Sequence, residues 1–310
     1  MLLAVALAVS LPAWSAPPAD QPMPGVASGA PAKLPLSQTG VKNLDLYADG
    51  DSLHLLYAEQ AADGAQSLWH RRSGDAGRNW SAPVRVDTPG QRVFPAHNGG
   101  EAQVAARGPR VVAAWTGYGS GWGGAGPIAV AVSEDGGGTW RPGPNPADDA
   151  STQGHGFLDL AATREGFHLV WLDNRAGPQG LRHARSTDPG HAWSPNATVE
   201  PKTCACCWNA LLPGTGRSLY LLYRADSPRD MALAASPDEG ATWTRHGAVG
   251  SFGWEAKSCP HTGGGLALTG SGNAQTLHVS VWTGREGAAG LYYLASTDGG
   301  ATWSKPRHLG

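Results

Sequence analysis

STDGGATW at residues 296–303 has four relatives in the same chain: SGDAGRNW at 73–80, SEDGGGTW at 133–140, STDPGHAW at 186–193 and SPDEGATW at 236–243. All five share the register S-x-D-x-G-x-x-W, and their starts lie 60, 53, 50 and 60 residues apart. A near-regular period of this length marks a repeat architecture in which each copy is one supersecondary unit. The residue types describe a turn. An Asp accepts from the backbone two residues on, a Gly tolerates φ > 0, and a Trp pins the turn to apolar surface.

Outward from each box the pattern is one of strands. An alternating segment precedes every box: SLWHRR, IAVAVS, LRHARS, MALAAS and LYYLAS. Earlier in each unit lie two more, such as EAQVAA with RVVAAWTG or GGLALTG with TLHVSVWTG, and a fourth follows, as in SAPVRVD. Four short antiparallel strands per 50–60 residues predict a propeller blade. The fold class is therefore all-β, a β-propeller over residues 40–310 with five blades. Six blades would need a degenerate unit using the segment before residue 40, and a closing strand is expected around residues 33–40.

Composition agrees. The 310 residues include 44 Gly, 24 Pro and 13 Trp, with 15% charged residues and a net charge of −2. That is a turn-rich β protein without the basic character that a nucleic-acid partner would require. The start, MLLAVALAVSLPAWSAPPADQ, reads as a signal peptide over 1–16 followed by a proline-rich leader over 17–39. Its apolar run is too short to span a bilayer, so no transmembrane segment is expected in a mature protein that is periplasmic or secreted.

The box resembles the Asp-box, or BNR repeat, of the sialidase-like β-propeller superfamily, and the resemblance covers roughly residues 40–310. It implies that the box joins strands three and four on the face away from the active site. Asp75, Asp135, Asp188, Asp238 and Asp298 are then structural. The motif recurs in sialidases, other glycosidases, sorting receptors and assembly factors, so it specifies fold more than activity.

The opposite face carries the longer loops. The links between blades are FPAHNGGE (94–101), STQGHGF (151–157), KTCACCWN (202–209) and SCPHTGGG (258–265). The turns between second and third strands are TGYGSGWGGAG (116–126), LDNRAGPQG (172–180), RADSPRD (224–230) and TGREGAAG (283–290). Long loops on a rigid scaffold carry function. His97, His155, Cys207 and His261 fall at equivalent places around one pore mouth, and Trp122, Trp208 and Trp254 are the stacking candidates there.

All four cysteines lie in two of these links. Cys204, Cys206, Cys207 and Cys259, with His261, form a soft donor set suited to copper, with zinc as the alternative. The competing reading is disulfides, in which Cys259 pairs with one of the other three and two thiols are left over.

Resemblance to sialidases also implies an arginine cluster for a substrate carboxylate and paired acidic residues for hydrolysis. No arginine precedes Arg71, so the first family arginine has no match. Arg175, Arg224 and Arg285 lie in three successive loops and are the substitutes, with Asp173 and Asp226 as the carboxylate pair and Tyr118, Glu255 and Glu286 nearby; the competing reading makes Arg175–Asp173 and Arg224–Asp226 local salt bridges within each loop. Three functions follow: a propeller binding a thiolate-ligated metal ion, an exo-glycosidase with a small carbohydrate ligand, and a scaffold for a protein partner with its cysteines in disulfides.

Overall fold

The computed structural model describes residues 40–88, 90–95, 100–256, 258–272 and 274–309. The expected signal peptide, leader and closing strand, and His97, lie outside the described residues. Among those described, no helix is long and apolar enough to cross a membrane.

Five four-stranded antiparallel sheets follow one another in chain order. Blade 1 holds β1 (Val41–Asp49), β2 (Ser52–Gln60), β3 (Gln66–Ser73) and β4 (Val84–Arg85). Blade 2 holds β5 (Gln103–Arg107), β6 (Arg110–Tyr118), β7 (Ala125–Ser133) and β8 (Arg141–Gly143). Blade 3 holds β9 (Gly156–Ala162), β10 (Phe167–Asp173), β11 (Gly180–Ser186) and β12 (Ala197–Glu200). Blade 4 holds β13 (Ala210–Pro213), β14 (Leu219–Arg224), β15 (Met231–Ser236) and β16 (Thr244–Ala248). Blade 5 holds β17 (Gly264–Thr269), β18 (Thr276–Thr283), β19 (Gly290–Ser296) and β20 (Arg307–His308). The first strands of blades 1 to 5 pack in succession on one another, which makes them the innermost. The expectation of a five-bladed, all-β propeller with boxes between third and fourth strands holds.

Each box is a lock of local hydrogen bonds. In the first, Ser73 Oγ donates to Asp75 Oδ1 at 2.8 Å and accepts from Gly77 N–H at 2.8 Å. Asp75 Oδ1 accepts from Asn79 N–H at 2.8 Å, and the Trp80 indole donates to Gly77 O at 3.1 Å. Hydrogen bonds from Asn79 and Ser73 hold the Asp75 carboxyl at about 2, and those from Thr139 and Ser133 do the same for Asp135. The third box departs: Ser186 Oγ donates to the Asp188 carbonyl at 2.6 Å, and Asp188 forms a bridge with Ala192 instead.

The box glycine has a second task that a turn alone would not demand. A Cβ on Gly137 would sit 2.1 Å from the His70 ring, and one on Gly240 would sit 2.0 Å from the His183 ring. Gly190 likewise faces Val132, and Gly300 faces Leu233. Each of these glycines abuts the third strand of the preceding blade, so the boxes pack the blades together. Behind two of them lie buried histidine pairs, His54–His70 and His168–His183, each with ring nitrogens 3.0 Å apart.

Apolar clusters fill the joints between blades 1 and 2, 2 and 3, 3 and 4, and 4 and 5. Among the described residues no such cluster joins blade 5 to blade 1. There Leu44, Leu46 and Leu291 are exposed at 51%, 54% and 41%.

Candidate functional site

A cavity of about 470 Å³ opens on the face away from the boxes. Its wall comes from the long loops and the strand ends beside them: the links carrying Phe94, His155, Cys206 and His261, and the second-to-third-strand turns carrying Trp122 and Gln179. That volume lies within the ~300–1,000 Å³ typical of small-molecule sites.

The loops are held rigidly. The glycine-rich turn after β6 lies against the link before β9, with Ser120 N–H donating to Thr152 O at 2.7 Å and His155 N–H to Gly126 O at 3.0 Å. A Cβ on Gly121 would come within 2.4 Å of the Gly154 nitrogen, so only glycine permits this approach. Two other lining residues, Phe157 and His261, have φ of 55° and 47°. A bulky side chain in the left-handed region is strained, and such strain clusters at functional sites.

His155 is fully buried at the cavity wall. Its Nδ1 stands 2.9 Å from Gln153 O and its Nε2 3.2 Å from Asp149 Oδ2 and 3.9 Å from Asp173 Oδ2. These three residues could surround a cation. The positive charge is already supplied, because Asp173 pairs with Arg175 at 2.8 Å and Arg182 at 3.0 Å, and Arg175 also pairs with Asp148.

This network holds Arg175 and Asp173 of the expected arginine and carboxylate set. Burial works against ionisation of Asp173, but hydrogen bonds from Arg175, Arg182 and Trp171 outweigh it and hold the carboxyl below its usual range. Asp226 belongs to a different network, paired with Lys202 at 2.8 Å and Arg229 at 3.6 Å. Arg224 is buried to 1% exposure beneath the loops, bonded to Thr262 O and Oγ1 and to Trp282 O, and stacked on Trp254. Arg285 donates to the Phe252 carbonyl. Each guanidinium is taken up by partners within the protein, and among the described residues none of the three lines the cavity. Of the other carboxylates, Glu255 accepts from Ser227 Oγ at 3.1 Å. The stacking candidates separate in the same way. Trp208 donates to Glu101 at 3.3 Å, and Trp254 packs edge-on against Trp282, whereas Trp122 is 79% exposed at the cavity. Tyr118 lies under the Arg92 guanidinium.

The two cysteine links do meet. Cys206 and Cys259 form a disulfide, which removes them, in this state, from the expected set of metal-binding thiolates. Cys204 and Cys207 are free and buried, with their sulfurs 3.0 Å apart. The Cys207 thiol hydrogen-bonds to Cys204 and lowers its pKa against the effect of burial, with help from the Cys206 N–H and Arg229. Cys207 shifts upward in turn, so one negative charge belongs to the pair and rests on Cys204. His261 Nδ1 lies 3.2 Å from Cys259 O rather than against a sulfur.

Comparison with known proteins places the fold. Residues 294–305 match the BNR/Asp-box repeat. A Hadza microbial sialidase superposes at a TM-score of 0.54 and 19% identity, covering 87% of this chain and 58% of that one. An α-L-arabinofuranosidase of Fusarium graminearum gives 0.57 at 16% identity, and an α-L-arabinanase of Penicillium chrysogenum 0.55 at 15%, each covering 86% of this chain and 81% of its own. This chain is a β-propeller built on Asp-box repeats. No curated protein matches the sequence. At such identities the likeness carries the propeller's architecture and leaves its activity to the site.

Several residues of the propeller's site were not singled out from sequence. Asp149 behind His155, Arg229 beside Cys204, and the wall residues Phe94, Phe157, Asn174 and Gln179 all lie in or beside the loops that the repeat had assigned to this face. The signal was the loop, since nothing in the residue types marked them individually.

Proposed function

We propose that the propeller is an exported carbohydrate-binding protein whose cavity takes the end of a neutral glycan. The observation that carries this is the wall itself. Trp122 offers an exposed aromatic face, and Gln153, Asn174 and Gln179 offer uncharged amides for hydroxyls. Apolar surface with a few placed polar groups is the usual build of such a site. Among the described residues no arginine lines the wall to recognise a sialic acid carboxylate. Among the described residues no Asp or Glu lines it either, whereas glycoside hydrolysis ordinarily takes two flanking carboxyls about 5–9.5 Å apart. The glycosidase neighbours support a sugar ligand, and this wall favours binding over turnover. The disulfide supports an oxidising compartment outside the cytosol.

The test is titration calorimetry with neutral mono- and disaccharides and a sialyl-lactose, alongside fluorogenic glycosides. Binding of a neutral sugar, weakened about tenfold in Trp122→Ala, or about 1.4 kcal/mol, is expected. Binding confined to the sialoside would overturn the reading, and glycoside turnover would make the protein a glycosidase.

A metal at the sulfur loops is the second reading. It rests on the Cys204, Cys206 and Cys207 sulfurs, which lie within 4.8 Å of one another. With the disulfide opened, these three, Cys259 and His261 form a donor set for copper, or for zinc. Elemental analysis of protein purified without chelators tests it.

A further inference from the structure

The four cysteines form a gradient from solvent to core. Cys259 is exposed, Cys206 is 6% exposed, and Cys204 and Cys207 are each 1% exposed. Cys206 and Cys259 line the cavity, whereas Cys204 and Cys207 lie behind it. The sulfurs are within reach of one another in sequence: Cys204 Sγ is 3.8 Å from Cys206 Sγ and 3.0 Å from Cys207 Sγ. The link that carries them is fixed to the end of β14, where Cys204 N–H donates to Arg224 O at 3.0 Å. Two guanidiniums flank the buried pair, Arg229 at Cys204 and Arg224 at Cys207.

We infer that these four residues are a thiol–disulfide relay, in which the buried Cys204/Cys207 dithiol passes two electrons to the Cys206–Cys259 disulfide in the cavity wall. The chemistry is thiolate attack on a disulfide sulfur through a mixed disulfide. Cys204 attacks Cys206. The Cys204–Cys206 bond forms, the Cys206–Cys259 bond breaks, and Cys259 leaves as a thiolate. Cys207 then attacks Cys204. The Cys204–Cys207 bond forms, and Cys206 leaves as a thiolate. The one proton of the buried pair, on Cys207, passes to Cys206 or Cys259, and the negative charge that began on Cys204 ends as a thiolate on the other, so electrons and atoms balance without an outside oxidant. The result is a buried disulfide and a reduced pair facing the cavity.

The outside reactant is then a small-molecule disulfide that enters the cavity. Attack by one wall thiol gives a mixed disulfide and one released thiol. Attack by the other re-forms Cys206–Cys259 and releases the second. The chain ends with both pairs oxidised and one disulfide reduced to two thiols. Flanking arginines suit this role, because exchange needs a thiolate and a nearby cation favours one. They also explain why Arg224 is buried among loops with no acidic side chain bonded to it.

Two measurements on the full chain test the relay. Disulfide mapping of the wild type by mass spectrometry, after rapid alkylation, should find both Cys206–Cys259 and Cys204–Cys207 linkages in a chain with two thiols. Reaction with glutathione disulfide should release two thiols per chain, whereas Cys207→Ser should release fewer and retain a mixed disulfide. A Cys206→Ser/Cys259→Ser double variant should slow the release about tenfold or more, because the buried thiols then lack the wall pair as intermediary. If mapping finds Cys206–Cys259 alone under all conditions, the relay is wrong whether or not any variant folds. Release that proceeds at the wild-type rate in the double variant would also sink it. So would one equivalent of copper or zinc in the purified protein that is lost in Cys204→Ser, since the sulfurs would then be ligands.

Discussion

At the residue scale the box glycines separate two effects that a turn motif merges. Gly240 has φ +80°, and a Cβ there would also overlap the His183 ring. Gly50, in the tight turn between β1 and β2, has φ +59° with nothing within 4 Å of where a Cβ would lie. Ala at Gly50 therefore carries only the left-handed strain, about 1–2 kcal/mol. Ala at Gly240 adds overpacking against a neighbouring blade, for a total of about 3 kcal/mol or more. Urea unfolding of the two variants checks the difference, and equal midpoints would mean that His183 yields at little expense. Local bonds also explain why the Asp75, Asp135, Asp238 and Asp298 carboxyls titrate low. Their charge is spent on backbone N–H groups and hydroxyls of their own turn.

At the element scale the innermost strands carry a second set of shifted carboxyls. Burial pushes Asp159 on β9 up to about 7; the Leu211 N–H, 2.6 Å away, opposes this, and Asp45 adds to it. Burial likewise raises Asp45 on β1 to about 6. A raised folded value means that the folded state holds its proton after the unfolded chain, at 3.8, has released it. Stability from Asp159 is therefore full below about pH 4 and is lost as pH rises through about 7. Asp159→Asn keeps an acceptor for Leu211 and has no proton to lose. Its melting temperature should overtake that of the wild type by roughly 2–4 °C between pH 4 and 7. Calorimetry across that window checks it, and a constant difference would place the titration elsewhere. These strands also mark the limit of what sequence shows. Alternation placed the third strand of each blade, and the repeat placed the loops of the cavity, because both follow from local periodicity. Which way Arg224 points depends on contacts with Thr262 and Trp282 beyond its own blade, whereas Asp173 meets Arg175 and Arg182 inside blade 3. Contacts between blades leave no local pattern. The pairing of Cys259 with Cys206 rather than with Cys204 or Cys207 is the same kind of fact, settled by two loops meeting over blade 4.

At the scale of the whole molecule that disulfide is a clamp. It joins the link leading into blade 4 to the link leading out of it, across a sequence separation of 53 residues. Closing a loop of that length restricts the unfolded chain, worth about 4 kcal/mol in the chain-entropy account. The joints on either side of blade 4 are already filled by apolar clusters, so the clamp supplements packing and does not replace it. Cys259→Ser should therefore fold and lose up to about 4 kcal/mol in guanidinium unfolding, and reductant should bring the wild type down to the same midpoint. If the relay operates, transfer of the bond to Cys204–Cys207 closes a loop of only a few residues and gives up most of the clamp. Wild type trapped in that isomer should then unfold nearer to Cys259→Ser than to the Cys206–Cys259 form. A trapped isomer as stable as the starting form would show that the loops of blade 4 are held by packing alone, with the covalent link contributing little to the propeller.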